Sequence, residues 1–229
     1  ISIANMHFSS RNRMRLGFSI AYSVLFIAVI VSWINRAVPP PQIQGVLLIE
    51  SRELADFELI NHLGDEFSNK DLLGEWHLVS YGFTACPDVC PTTLTQLTRM
   101  KEEMDSGSKP KILFYSVDHR RDTAAQLANY LPFFDADIIG LTHLDDPDNT
   151  HLAFENSLGI ASSLDLMFKP DGSLDQQGYR VNHGIALLVL NPQGRLQAIL
   201  KPRETSPGIY GFDPKELSRD YLAIRAFNG

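Results

Sequence analysis

The chain has two cysteines among its 229 residues, and both lie in one short segment. Cys86 and Cys90 are separated by three residues, directly after an apolar run and before a pattern typical of a helix. Thiols placed together in this way form a chemical pair, which can bind a soft metal ion, exchange disulfides or close into a disulfide bond. The sequence therefore points to thiol chemistry.

The segment after the cysteines predicts how the pair is presented. Pro91 near the first turn and apolar residues at helical spacing, such as Leu94 and Leu97, indicate a helix. An i, i+4 offset at the start of this helix can bring both sulfurs to one side. The partial positive charge of a helix N-terminus predicts lowered pKa values for the thiols. Two thiolates would select Cu(I) or Zn(II) over hard cations, with a third ligand from elsewhere.

The chain has seven histidines that could supply the third ligand. His183 differs from the others because it comes directly before the apolar run 185–190, where a loop can direct a side chain over the end of a sheet. Spacing alone leaves the choice of histidine open.

The residues around the cysteines resemble those of the Sco/SenC family. The shared pattern is Tyr-Gly-Phe-Thr-x-Cys-Pro-Asp-Val-Cys-Pro, then Tyr-Ser-Val-Asp, a histidine before an apolar strand and Asn-Pro-x-Gly. The resemblance implies a membrane-anchored, thioredoxin-like copper chaperone that helps to assemble the dinuclear copper site of cytochrome c oxidase. It also implies that Cys86, Cys90 and His183 are the ligands of one copper ion.

Two positions depart from the family pattern. Asn182 stands where an aspartate is common, which removes a negative charge next to the metal and predicts weaker Cu(II) binding or altered partner docking. His119 stands where a proline is frequent and adds an imidazole near the end of the predicted sheet. We do not predict His119 to be a ligand of the copper ion.

Three alternatives to copper delivery use the same thiols. A purely structural Cys86–Cys90 disulfide would stabilise little, on the order of 2 kcal/mol, because the loop that it closes is short. A zinc site would need a fourth protein ligand or a general base. A thiol-disulfide oxidoreductase, cycling through a redox disulfide of Cys86 and Cys90, is the main alternative. A metal-carrying role is thus favoured over an enzymatic one. The sequence also allows an accessory thiol-disulfide reductase activity.

The hydrophobic pattern predicts an α/β fold. Buried strands are expected at 77–83 and 111–117, a hairpin at 57–67 and a strand pair at 185–190 and 196–200. Helices are expected at 91–104, at 122–133 with Asp122 as cap, at 147–158 and after Asp213. This order is typical of a thioredoxin-like sandwich. Met100 and Met104 are expected in its core, and Asp118, Arg121 and Asp122 as loop or cap residues.

The first 44 residues predict a membrane anchor and a linker. Residues 16–34 form an apolar run without charged side chains, preceded by three arginines at 11–15, so a single-pass helix with a cytoplasmic tail at 1–15 is expected. A proline-rich linker at 35–44 would lead to the thioredoxin-like domain at 45–229. A cleaved signal peptide is the alternative.

The net charge of the chain and the predicted location of its domain outside the cytoplasm limit the partners that it can have. The net charge of −7 argues against nucleic acid. The expected partners are the membrane, through the N-terminal helix, and the copper-site subunit of cytochrome c oxidase or another copper enzyme. The domain is expected to face the periplasm, or alternatively the mitochondrial intermembrane space from the inner membrane.

Overall fold

The computed structural model describes residues 10–34, 39–144, 149–168 and 174–228. Backbone contacts divide the chain into two units, Ile1–Pro39 and Pro40–Gly229. The first unit contains helix α1, Ser10–Ile34. Within the described residues there is no helix of sufficient length and apolar character to cross a membrane. The predicted tail, anchor, linker and domain bounds stay predictions.

The second unit is a mixed α/β domain of twelve strands and four α-helices in the described part of the chain. The strands are β1 Gly45–Arg52, β2 Glu58–Asn61, β3 Glu66–Ser68, β4 His77–Gly82, β5 Lys111–Ser116, β6 Ile139–Thr142, β7 Ser162–Phe168, β8 Leu174–His183, β9 Leu187–Leu190, β10 Leu196–Leu200, β11 Arg203–Ser206 and β12 Ile209–Gly211. The helices are α2 Val89–Glu102, α3 Ala124–Tyr130, α4 His151–Leu158 and α5 Pro214–Asn228.

Eight strands form one sheet in the order β1-β10-β9-β4-β5-β6-β2-β3. The three central strands β4, β5 and β6 are parallel, and antiparallel strands flank them. Two two-stranded ribbons, β7-β8 and β11-β12, are separate from this sheet. The carboxyl ends of β4 and β5 lead into the cysteine loop and into the loop at 117–123, so both loops emerge at the same end of the sheet.

The sheet is buried on both faces, because alternate residues of its central strands enter different hydrophobic clusters. Val79 and Tyr115 pack on the face that α4 covers, in contact with Phe154. Leu78 and Phe114 pack on the opposite face, with the apolar sides of α2, α3 and α5. Met100 and Met104 belong to that second cluster, which confirms their predicted place in the core. The layers match the predicted thioredoxin-like sandwich.

Most predicted elements are present, with shifted ends. Helix α2 begins at Val89 rather than at Pro91, and β9 begins at Leu187 rather than at 185. Helix α4 ends at Leu158 and is capped by Gly159, whose φ of 70° suits the left-handed end of a helix. It begins at His151, whereas residues 147–148 of the predicted helix lie outside the described residues.

One predicted helix cap is wrong. The Thr123 hydroxyl, not the Asp122 carboxylate, accepts the capping hydrogen bond from the Gln126 N–H at the start of α3. A threonine is a good N-cap residue, so the shift by one position satisfies the helix and leaves Asp122 for another role.

Candidate metal centre

The two cysteines lie in a tight loop between β4 and α2. The Cys86 N–H donates to the carbonyl of Phe83, and the Cys90 N–H donates to the Cys86 sulfur at 3.5 Å. Cys86 is half-buried and Cys90, in the first turn of α2, is buried. Both are free thiols. The loop thus holds the Cys86 sulfur against the first turn of the helix, as the spacing of the two cysteines predicts.

Gly82, the last residue of β4, makes room for the inner sulfur. A Cβ atom at this position would lie 2.5 Å from the Cys90 sulfur and 3.5 Å from its Cβ. Real Cβ atoms do not approach other heavy atoms so closely, so any larger residue would displace the sulfur. The glycine therefore allows the thiol of α2 to rest directly on the end of the central strand.

His183 ends strand β8 and brings an imidazole to the buried thiol. Its Nε2 atom is 3.8 Å from the Cys90 sulfur. Its Nδ1 atom is 2.6 Å from the carbonyl oxygen of Gly184. Because a carbonyl can only accept, Nδ1 carries the proton and the lone pair of the neutral ring lies on Nε2, toward the thiol. Metal-binding histidines are commonly oriented by such a bond.

The 3.8 Å separation suits two ligands of one ion. A sulfur at ~2.3 Å and a nitrogen at ~2.0 Å from a shared ion, 120° apart, are about 3.7 Å from each other. Tyr81 and Phe83 pack edge-on against the imidazole, with ring centroids at 6.0 and 5.7 Å. The cavity that Cys90, His183 and Tyr81 help to line has a volume of about 10 Å³. That space is about one water-sized sphere, enough for a single ion and too small for an organic substrate.

Burial sets the protonation of the two facing groups. It raises the pKa of the Cys90 thiol, and the contact with Cys86 raises it further, although a backbone hydrogen bond to Phe83 acts in the opposite direction. The expected lowering by the helix N-terminus is therefore wrong for Cys90, because desolvation outweighs it. Burial also lowers the pKa of His183. A metal ion must then displace a proton from Cys90, whereas the imidazole is already neutral near pH 7.

The described side chains include no group of three histidine, cysteine or acidic residues already arranged around a common point to hold a metal ion. The structure brings Cys90 into contact with both Cys86 and His183.

A buried carboxylate supports the cysteine loop. Asp122 is fully buried. It accepts hydrogen bonds from the N–H and the hydroxyl of Thr84, at 2.8 and 2.6 Å, and from the hydroxyl of Ser116 at 2.7 Å. The loop that carries Cys86 is thus fastened to the end of β5. The sequence predicts Asp122 only as a loop or cap residue. It does not reveal this role, since Thr84 is 38 positions away in the chain.

A second buried carboxylate connects the strand that carries His183 to the same region. Asp118 forms an ion pair with Arg121 and accepts a hydrogen bond from the hydroxyl of Tyr179 on β8. The Arg121 guanidinium lies 4.2 Å from the centre of the Tyr179 ring and 5.7 Å from that of Phe83. Arg121 therefore contacts β8 and the cysteine loop at once. Asp118 and Arg121 lie in the loop after β5, as expected, and in addition they connect this loop to β8 and to the cysteine loop.

Asn182 is a neighbour of His183 in the chain but faces another group. Its amide donates to the Asp165 carboxylate on β7 at 2.7 Å. Successive side chains of a strand point to opposite faces, so Asn182 and His183 diverge. The expected direct effect of Asn182 on the metal is not supported, because a carboxylate at this position would lie beside Asp165.

The chain is similar to known proteins over most of its length. The SCO1/SenC family model matches residues 49–211. The human mitochondrial protein SCO1 homolog is 33% identical over 141 residues, which are 60% of this chain and 44% of the human protein. The chain thus spans less than half the length of that relative.

Two solved structures with bound copper have the same fold. Arabidopsis thaliana ScoI gives a TM-score of 0.61 at 26% identity, covering 76% of this chain and 98% of that one. Yeast Sco1 gives a TM-score of 0.59 at 27% identity, covering 75% and 87%. The family match includes both cysteines, His183 and the central sheet that positions them. The chain belongs to the SCO1/SenC family.

Proposed function

We propose that this protein is a copper chaperone, which binds one copper ion through Cys86, Cys90 and His183 and passes it to a copper enzyme. The observation that carries the proposal is the contact between the Cys90 sulfur and the lone-pair nitrogen of His183. The copper bound in the Arabidopsis and yeast relatives supports the choice of metal. The resemblance to the family favours the dinuclear copper site of cytochrome c oxidase as the recipient.

The chemistry of the three side chains favours Cu(I) as the carried ion. Two thiolates and one imidazole form a soft donor set that suits three-coordinate Cu(I). The small cavity and the packed rings of Tyr81 and Phe83 limit the access of water to the ion. In this proposal the protein carries the ion from one site to another and does not need to catalyse a reaction.

Replacement of the imidazole tests the ligand set. We expect His183→Ala to weaken Cu(I) binding by more than about tenfold, because it removes one of three ligands while leaving both thiols. The affinity is measured by competition of the reduced protein with a chromophoric Cu(I) chelator.

His62→Asn is a matched control for this experiment. His62 lies outside the site, and its Nδ1 atom accepts a hydrogen bond from the Gly140 N–H, which an asparagine oxygen can also accept. Its affinity should equal that of the wild type. Equal affinities of His183→Ala and wild type would remove His183 from the site.

Thiol-disulfide exchange is the second candidate function. Cys86 is the more exposed thiol, so it is the one that a disulfide substrate could reach. The raised pKa of Cys90 weakens this candidate, since the inner thiol stays protonated. The same protein samples decide between the two roles: disulfide reduction without stoichiometric Cu(I) binding would favour the oxidoreductase.

We further propose that residues 16–34 anchor the domain in a membrane, with the domain on the periplasmic side. Support comes from the uncharged apolar run, from the arginines before it and from the exposed apolar side chains of α1, such as Phe18 and Phe26. An anchor would keep the carrier near a membrane-bound recipient and raise its effective concentration there.

Cell fractionation tests the anchor. We expect the protein in the membrane fraction and its domain to be digested when protease is added to spheroplasts. Recovery of a soluble form that lacks the first forty residues would contradict the anchor and leave export intact. Protection of the domain in spheroplasts would contradict the orientation.

A further inference from the structure

Three histidines that are distant in sequence meet beside the sheet. His119 lies in the loop after β5, His143 follows β6, and His151 begins α4. The ring centroids of His143 and His151 are 3.6 Å apart and their planes differ by 3°. The His119 ring lies 3.9 Å from that of His143 and 6.4 Å from that of His151. Three separate segments of the chain thus place their imidazole rings side by side.

The three rings line a pocket of about 140 Å³ that also contains two carboxylates. One is Glu155, four residues after His151 on α4 and held by the hydroxyl of Tyr115 at 2.7 Å. The other is Asp118. Arg120 also lines the pocket and Asp118 is paired with Arg121, so Glu155 is the carboxylate that favours the binding of a cation among the imidazoles.

The tautomer of His143 suits a metal ligand. Its Nδ1 atom lies 3.0 Å from the carbonyl oxygen of Leu144, the next residue. Because the carbonyl can only accept, Nδ1 carries the proton and the lone pair of the neutral ring lies on Nε2. His183 has the same arrangement with the carbonyl of its own next residue. The two histidines are therefore oriented by the same local device.

We propose that His119, His143 and His151 form a second metal site, which takes a divalent ion of borderline softness such as Zn(II), Ni(II) or Cu(II). Imidazole ligands favour these ions, whereas the thiol pair favours Cu(I). The rings now stack instead of converging, consistent with the finding that no described trio is already arranged around an ion. Binding requires the rings to turn within the pocket so that their nitrogens point to a common centre.

This site shares no proposed ligand with the cysteine site, although Asp118 lines its pocket, and it does not depend on the proposed copper delivery. The sequence also shows that it is not part of the family pattern described above, since His119 stands where a proline is frequent. The second site would give this chain a metal-binding capacity that survives oxidation of the two thiols.

The test uses Ni(II) with the untagged full-length chain in detergent, in a Cys86→Ser, Cys90→Ser background that removes the thiol ligands. Calorimetric titration at pH 7.5 should show one Ni(II) ion bound per chain. His143→Gln and His151→Gln should each weaken binding by more than about tenfold. The control His62→Asn should bind like its parent.

Absence of Ni(II) binding in the parent, or unchanged binding in both cluster variants, would overturn the proposal. A second measurement, which uses only the parent protein, does not depend on whether the variants fold. With histidine labelled by ¹⁵N, added Zn(II) should shift the ring-nitrogen resonances of His119, His143 and His151 and leave those of His62 in place. Zn(II)-induced shifts confined to other histidines would likewise overturn it.

Discussion

Oxidation of Cys86 and Cys90 to a disulfide is expected to abolish Cu(I) binding, from about one ion per chain to none. A sulfur ligand must be a thiolate, and neither sulfur of a disulfide can become one. The structure places the Cys86 sulfur 3.5 Å from the backbone nitrogen of Cys90, so the loop can hold the pair close enough to react. His183 alone cannot retain Cu(I), because a single imidazole lacks the soft donors that this ion prefers.

The measurement is metal analysis after desalting, on matched reduced and oxidised samples that are loaded with Cu(I) in the absence of oxygen. Reduction of the oxidised sample should restore full binding, which controls for irreversible damage. In the converse experiment, bound copper should protect both thiols from alkylation, as read by mass spectrometry. Stoichiometric Cu(I) on the oxidised protein would mean that the ligands are not these sulfurs.

Replacement of Asp122 by alanine should strongly destabilise the folded domain. The substitution leaves the N–H of Thr84 without its buried acceptor and removes the partner of the Thr84 and Ser116 hydroxyls. Loss of a buried, charge-assisted network of this size costs about 3–5 kcal/mol in the free energy of unfolding. The cysteine loop loses its connection to β5, so Cu(I) affinity should also fall.

Urea unfolding followed by circular dichroism gives the stability, and chelator competition gives the affinity in conditions where each variant is folded. Asp122→Asn should fall between alanine and wild type, since its amide oxygen can still accept from the Thr84 N–H. Asp105→Ala is the control, because Asp105 is exposed and makes no capping hydrogen bond through its side chain. If Asp122→Ala behaved like this control, the carboxylate would have no supporting role.

The sequence predicts the sheet better than the ribbons. The strands β4 and β5 are short apolar runs, and burial on both faces explains why they stand out from their surroundings. The ribbon strand β11, Arg203–Ser206, is exposed along its whole length, so it has no alternation of apolar and polar residues to reveal it. The hairpin that carries His183 was missed for the same reason: its residues 174–183 lack a sustained apolar alternation.

The site was predictable where its chemistry is local in sequence. Cys86 and Cys90 are four positions apart in the chain, and their spacing indicates a thiol pair directly. The role of Asp122 and the contact of Arg121 with Tyr179 depend on residues brought together only by the fold. The protonation of Cys90 also depended on the fold, because the sequence indicates the helix dipole but not the depth of burial that outweighs it.

The separation of the ribbon β7-β8 from the main sheet affects the expected speed of the proposed copper transfer. Its strands pair with each other and, in the described part of the chain, are not hydrogen-bonded into the eight-stranded sheet. His183 thus belongs to a hairpin, whereas Cys86 lies in the loop between β4 and α2 and Cys90 in the first turn of α2. At the proposed copper site, a small bend of the hairpin would remove one ligand and open a coordination position, while both sulfurs keep the ion. An incoming ligand of the recipient can then enter before any thiolate leaves, so we expect tight equilibrium binding to coexist with rapid handover.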